Sequence, residues 1–375
     1  MSSLRQKIIE NLKGSKDERD VELVETLEQH GDEYVSNVVY EIFFESLGRF
    51  ETNMIRLLAK YIDVNYKNKD GNTALNFMYN RLYDKCQTKE FNEIVELFVA
   101  KGADLNSSNK ANYNPLVLSA GQNNCHMCVK KLISLGADVN FIIDGKYAIL
   151  PNAIVGKRTE IVKTLINAGA SVNKNTSIRN RDSILIYVID NRYKNEIIQA
   201  IIKVDKKINH RNNNGDTALI TAIKNYDCYA IKLLCEAGAD INLADNRGYN
   251  PLMTCLRCGR VGIFFTLLEA GANIYSSDNE GNTILMIDIM MECKVFEKLL
   301  DLGVDPAHVN KSGDTALTLA IKNCRPNVAK KLIGLGVDVD HINNDKDTPL
   351  TLILQSRYHD DTIKEMILEK TRYLI

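Results

Sequence analysis

Between residues 214 and 238 the apolar positions keep helical spacing twice in succession. Leu219-Ile-Thr-Ala-Ile-Lys-Asn predicts a short helix in which the small Ala222 lets a neighbouring element approach closely. Cys228-Tyr-Ala-Ile-Lys-Leu-Leu234 predicts a second, with its apolar groups on one face. Gly238 supplies the left-handed residue that ends that helix. Asn214-Gly215 suits the tight turn of a hairpin tip, and Thr217 suits the N-terminal cap of the first helix. The unit is therefore helix, helix, projecting finger.

The unit recurs. Gly-Asn-Thr-Ala-Leu ends at Leu75, Gly-Asp-Thr-Ala-Leu at Leu219, Gly-Tyr-Asn-Pro-Leu at Leu252, Gly-Asn-Thr-Ile-Leu at Leu285, Gly-Asp-Thr-Ala-Leu at Leu317 and Lys-Asp-Thr-Pro-Leu at Leu350. Weaker copies end at Leu116, Leu150 and Leu185, and the steps between the nine leucines are 41, 34, 35, 34, 33, 33, 32 and 33. A second signature keeps the same beat: Gly-Ala-Asp-Leu-Asn from Gly102, Gly-Ala-Asp-Val-Asn from Gly136, Gly-Ala-Ser-Val-Asn from Gly169 and Gly-Ala-Asp-Ile-Asn from Gly238, with looser versions at Gly271, Gly303 and Gly336. Helices this short are marginal alone in water, so each must bury its apolar face on the next unit, forming one continuous core.

These linked signatures, Thr-Pro-Leu and Gly-Ala-Asp-Val-Asn at a period near 33, resemble the ankyrin repeat family over roughly residues 34–375. The resemblance implies an all-α repeat solenoid of helix–turn–helix units with projecting β-hairpin or loop fingers, in a curved, elongated single domain. The expected division is degenerate helical cap repeats over 1–66, the ankyrin array over 67–343 and a C-terminal capping repeat over 344–375. The cap is read as four helices, Leu4–Leu12, Val21–Gln29, Val35–Leu47 and Met54–Lys60. Three departures stand out. The family's His after the Leu is absent, replaced by residues such as Asn76, Ile220 and Thr318. About eight extra residues lie around Leu82–Glu90, and Val204-Asp-Lys-Lys stands where Gly-Ala-Asp is expected. Ankyrin chains of large DNA viruses often end in an F-box-like segment that recruits a ubiquitin ligase; none is expected here after the repeats.

Composition narrows the setting. The chain is 375 residues with a formal net charge of −1, so no bulk field draws it to nucleic acid or an anionic membrane. No apolar run reaches the roughly 18–20 residues of a membrane span, and residues 1–20 lack the apolar core of a signal peptide. The expected compartment is cytoplasm or nucleus, that of the host if the chain is viral or a secreted bacterial effector. Abundant Asn, Ile, Lys and Tyr, with no Trp, fit an AT-rich genome such as that of a large DNA virus or an intracellular bacterium. The nine cysteines are read as free thiols in the core of a reducing compartment.

Candidate chemistry is absorbed by the repeat. Cys125-His-Met-Cys128 and Cys255-Leu-Arg-Cys258 are CxxC pairs, but they lie about four repeats apart and Cys255 aligns with Ala222 at a packing position. Gly156-Lys-Arg-Thr159 lacks the upstream Gly of a phosphate loop, where Pro151 stands. Asp104, Asp138, Asp240, Asp305 and Asp338 share one repeat position and are read as turn formers. The six histidines are dispersed. No catalytic residue, cofactor or metal is expected. Asn140, Asn173 and Asn242 each lie eight residues after a Leu, a position at which ankyrin asparagines can be substrates of an asparaginyl hydroxylase.

The resemblance also selects contact positions, on the finger and near the end of the first helix. These give Tyr113, Phe141, Tyr147, Arg179, Lys224, Asn225, Arg247, Tyr249, Arg257, Met290 and Met291. Tyrosine and arginine are preferred at protein interfaces. Lys130, Lys131, Lys330 and Lys331 are read instead as a solvated second-helix face. The expected function is a non-catalytic module that binds one or more proteins, as a monomer, without nucleic acid or membrane. Two alternatives are an adaptor docking a ubiquitin ligase through the N-terminal helices and a metal-dependent enzyme or regulator.

Overall fold

The computed structural model describes residues 8–10, 24, 25, 28, 32–121, 126–143, 147–172, 183–355 and 361–372. They fall into two compact units, Met1–Thr176 and Ser177–Ile375, taken one at a time below.

In the first unit the helices Asp32–Arg49 and Thr52–Leu58 precede three helix pairs: Ala74–Arg81 with Lys89–Ala100, Pro115–Gly121 with His126–Ser134, and Ile149–Val155 with Thr159–Asn167. Two of the four expected cap helices are thus observed, each displaced by a few residues. The other two, Leu4–Leu12 and Val21–Gln29, fall largely outside the described residues. The strands Ile142–Ile143 and Tyr147–Ala148 pair antiparallel in one finger. The insertion near Leu82–Glu90 forms a 3-10 turn over Tyr83–Lys85, and Thr88 then caps the second helix through its hydroxyl.

This insertion corrects one expectation. Cys86 follows the 3-10 turn, and Cys128 lies on the second helix of the next repeat; both are buried, their Cα atoms are 6.2 Å apart, and they are joined in a disulfide. Reading all nine cysteines as free thiols failed because the extra residues carry Cys86 out of the repeat register and across to a neighbour 42 positions away. Cys125, the other half of that CxxC pair, lies outside the described residues.

The second unit stacks six helix pairs: Ile184–Asp190 with Asn195–Val204, Ala218–Asn225 with Cys228–Glu236, Pro251–Arg257 with Val261–Glu269, Ile284–Met291 with Phe296–Asp301, Ala316–Lys322 with Pro326–Gly334, and Pro349–Gln355 with Asp361–Arg372. Successive first helices pack on one another. Leu219, Ile220, Ala222, Ile223, Ile231 and Leu234 are all buried, as the apolar pattern requires. The fold is an all-α repeat solenoid, and among the described residues strand pairing is confined to the fingers.

The turns carry out what their residues predict. Thr217 Oγ1 accepts the Ile220 N–H at 3.2 Å, capping its helix, and Thr73, Thr283 and Thr315 do the same in their repeats. Each recurring finger aspartate accepts the N–H two residues on, as from Asp104 to Asn106 and Asp240 to Asn242, both at 2.8 Å. Asp205 makes the same bond to Lys207, so the repeat lacking the Gly-Ala-Asp signature keeps its turn. Where an asparagine stands two positions after the aspartate it reaches forward: Asn106 Oδ1 accepts the Asp138 N–H, Asn140 that of Ser171, and Asn242 that of Asn273. Those three finger turns are each thereby tied to the next.

Candidate partner-binding face

In the second unit the fingers meet the ends of the first helices at a repeated pair of positions. The residue before the capping position and the residue eight further on lie side by side. Lys224 Nζ is 2.6 Å from Asp216 Oδ1, Lys322 Nζ is 2.7 Å from Asp314 Oδ1, and Gln355 Nε2 donates to Asp347 Oδ1 at 3.3 Å. In the repeat between these, tyrosine replaces the acid and arginine the lysine. The Arg257 guanidinium then lies over the Tyr249 ring, 4.3 Å from its centroid. The Tyr249 pKa is raised by burial and by the Asp278 charge, with Arg257 opposing.

Finger tips are joined by main-chain bonds. Asn246 N donates to Asn214 O at 3.1 Å, Asn279 N to Arg247 O at 2.9 Å, Lys311 N to Glu280 O at 2.9 Å and Asn344 N to Ser312 O at 3.1 Å. Side-chain amides double three of these links: Asn246 Nδ2 to Asn213 O, Asn279 Nδ2 to Asn246 O and Asn344 Nδ2 to Lys311 O. Gly248 permits the close approach: its φ is +83°, and a Cβ there would fall 2.6 Å from Asn279 N.

The sequence-selected residues divide accordingly. Lys224, Arg247 and Arg257 line one cleft of about 370 Å³ together with Asn213, Asn214 and Asp245, and Tyr249 supports Arg257 beside it. Met291, 44% exposed, and half-buried Met290 end the first helix of the following repeat. Asn225 is turned to the frame, its Nδ2 donating to Ile189 O at 3.1 Å and Asp190 O at 3.5 Å. In the first unit Tyr113 is exposed and lines a cleft of about 500 Å³ with Val117, Ile143, Val155 and Arg158, while Phe141 is half-buried on its finger. Tyr147 contributes its backbone to the strand pair. Arg179 lies outside the described residues. The finger-tip asparagines were missed as cleft walls, although an Asn or Asp two to four positions before the cap in repeat after repeat was the available signal.

Away from this face, Lys131 pairs with Glu96 and Lys331 with Glu297 at 3.2 Å, linking adjacent second helices at the surface. Cys255 is fully buried, and burial pushes its thiol up to about 12, which suits a packing group and not a thiolate ligand. Among the described residues no three His, Cys, Asp or Glu side chains converge to hold a metal ion. Nor is any described helix long and apolar enough to cross a membrane.

A family model for ankyrin repeats (three copies) matches residues 82–176, 185–278 and 285–373. The chain belongs to the ankyrin repeat family. Its ankyrin repeats are 33% identical over 102 residues to the fowlpox virus (strain NVSL) ankyrin repeat protein FPV244, a match covering 25% of this chain and 15% of that protein. Among solved structures, an ankyrin repeat domain from Acinetobacter baumannii AYE is 27% identical, with a TM-score of 0.44, covering 50% of this chain and 97% of that one. Ankyrin repeats are in general protein–protein interaction modules, and the family and fold are typically non-catalytic.

Proposed function

We propose that this chain is a non-catalytic interaction module that holds a partner protein against its fingers and first-helix ends. One observation carries the reading: in the second unit, Arg247, Arg257 and Met291 stand exposed on a frame of fingers locked to one another by main-chain bonds. Exposed arginine and large apolar groups on rigid elements are the usual composition of an energetic hot spot. The recurring carboxylates, by contrast, are occupied in turns and ion pairs, which supports a non-catalytic reading. The partner belongs to a host cell if the chain is viral, a context to which the resemblance to the fowlpox protein lends support. The protein acts in the cytoplasm or nucleus as a monomer, without a cofactor and without binding nucleic acid or membrane.

The test is affinity capture from an animal-cell lysate, comparing the wild type with an Arg247→Ala, Arg257→Ala, Met291→Ala variant whose fold is checked by circular dichroism. A protein retained by the wild type and lost by the folded variant supports the reading. Identical retention by both overturns the assignment of this face.

A further inference from the structure

At four finger bases of the second unit the acid is buried, while Arg247 and Arg257 beside them are exposed. Asp216, Asp245, Asp278 and Asp314 are all buried at the finger bases. Each is satisfied there. Asp245 Oδ1 accepts the N–H groups of Arg247 and Tyr249 at 2.8 and 2.9 Å, and Asp278 Oδ1 those of Glu280 and Asn282 at 2.9 and 2.8 Å. Asp216 and Asp314 each hold a lysine. Asp245 lines the cleft of about 370 Å³, but its Oδ1 is occupied by the two main-chain N–H groups of Arg247 and Tyr249. The same cleft presents Arg247 and Arg257, and Arg211 donates to the wall residue Asn246 at Oδ1, 3.1 Å away.

Arg257 is the better organised of these. It is held over the Tyr249 ring, and among the described residues it makes no ion pair with a carboxylate. A guanidinium presents its N–H groups in a fork that matches a carboxylate through two parallel hydrogen bonds. Asn213 and Asn214 on one finger and Asn246 on the next wall the same cleft, and add polar groups able to donate to backbone carbonyls of a bound segment.

We propose that this cleft receives an acidic peptide segment of the partner, a carboxylate side chain seating on Arg257 and Arg247; this rests on the reading of the chain as a protein-binding module. A polynucleotide is disfavoured. The cations form a local cluster and not a continuous track, the chain's net charge is −1, and the next finger tip carries Glu280. A carboxylate also suits a cleft of side-chain dimensions better than a charge repeated along a backbone.

The experiment is fluorescence anisotropy on the full chain with three labelled peptides of about ten residues. One alternates glutamate with serine, and the others replace each glutamate by glutamine or by lysine. The glutamate peptide is expected to bind, and to weaken several-fold between about 50 and about 300 mM salt as screening grows. The glutamine peptide is expected to bind roughly tenfold more weakly, about the worth of one lost charged hydrogen bond. Arg257→Gln is expected to abolish the preference for glutamate. Lys331→Ala, on the second-helix surface, is expected to leave it unchanged. Equal binding of the glutamate and glutamine peptides, or no glutamate binding, overturns the proposal. So does displacement of the glutamate peptide by an oligonucleotide that binds more tightly, which reassigns the cleft to phosphate. If these arms fail while lysate capture still depends on Arg247, Arg257 and Met291, the charge preference falls and the protein-binding reading stands.

Discussion

Lys224 Nζ lies 2.6 Å from Asp216 Oδ1, closing a link between the base of a finger and the end of the helix that follows it. Asp216 is buried while Lys224 is partly exposed. Removing the lysine strands a buried carboxylate, whereas removing both charges does not. Lys224→Ala is therefore expected to lower stability by about 1 kcal/mol, with solvent screening keeping the figure small. Adding Asp216→Asn is expected to restore part of the loss. Urea denaturation of the single and double variants checks this, and a double variant no more stable than Lys224→Ala alone would contradict it.

Two glycines give a paired comparison. Gly238 and Gly248 both have positive φ, +80° and +83°, but a Cβ on Gly238 meets nothing within 4 Å, while one on Gly248 meets Asn279 N at 2.6 Å. Gly238→Ala should cost only the left-handed backbone penalty, about 1 kcal/mol. Gly248→Ala should cost that and the finger link from Asn279 N to Arg247 O as well. The expected order of thermal stability is wild type, then Gly238→Ala, then Gly248→Ala, with amide exchange at Asn279 accelerated only in the last.

Asp288 occupies the small-residue position of its first helix, three residues after the repeat leucine, where Ala222 and Ala320 stand in other repeats. It is buried, and its carboxylate accepts the Val295 N–H at 3.2 Å at the start of the second helix. Burial raises its pKa, the main-chain N–H groups at the start of that helix counter it, and Glu292, Lys294, Glu297 and Arg325 line the adjoining cleft. A carboxylate with a raised folded pKa favours the fold most at pH below its unfolded value, and that contribution is lost as pH rises through the folded value. Asp288→Asn keeps an acceptor and carries no charge. The variant should match or exceed the wild type in stability at neutral pH, and its advantage should shrink as pH falls into the carboxylate range. Melting temperatures of both proteins across pH 4 to 7 decide the matter; an advantage that grows on acidification would contradict it.

The Cys86–Cys128 disulfide closes a loop of 42 positions, worth about 4 kcal/mol in the chain-entropy account. A non-reducing peptide map should show the two peptides linked. Dithiothreitol should lower the melting temperature of the wild type and have little effect on Cys86→Ala. Equal response in both proteins would show that the bond does not support the fold.

Much of this architecture was legible because the repeat writes each role several times over. Thr217 as a cap, Asp240 as a turn former and Gly238 as a helix terminator each follow from local chemistry that any one copy displays. The stacking of Asp288 against the next helix start, or of Arg257 on Tyr249, does not recur in that form, so no pattern announced it. Register alone presents the contact positions as independent surface residues, yet those before the cap and those eight later are one another's neighbours. That pairing depends on the angle between finger and helix, which spacing alone does not give. Asn225 illustrates the limit: at a surface position by its register, it serves two carbonyls of the preceding first helix.

The bonds between finger tips have a consequence for how a ligand is chosen. Asn246 N to Asn214 O and Asn279 N to Arg247 O fix the gap between neighbouring fingers before anything arrives. Such a gap acts as a gauge and not a glove: it admits a segment of the right girth at little cost in order, and it rejects a thicker one without deforming to meet it.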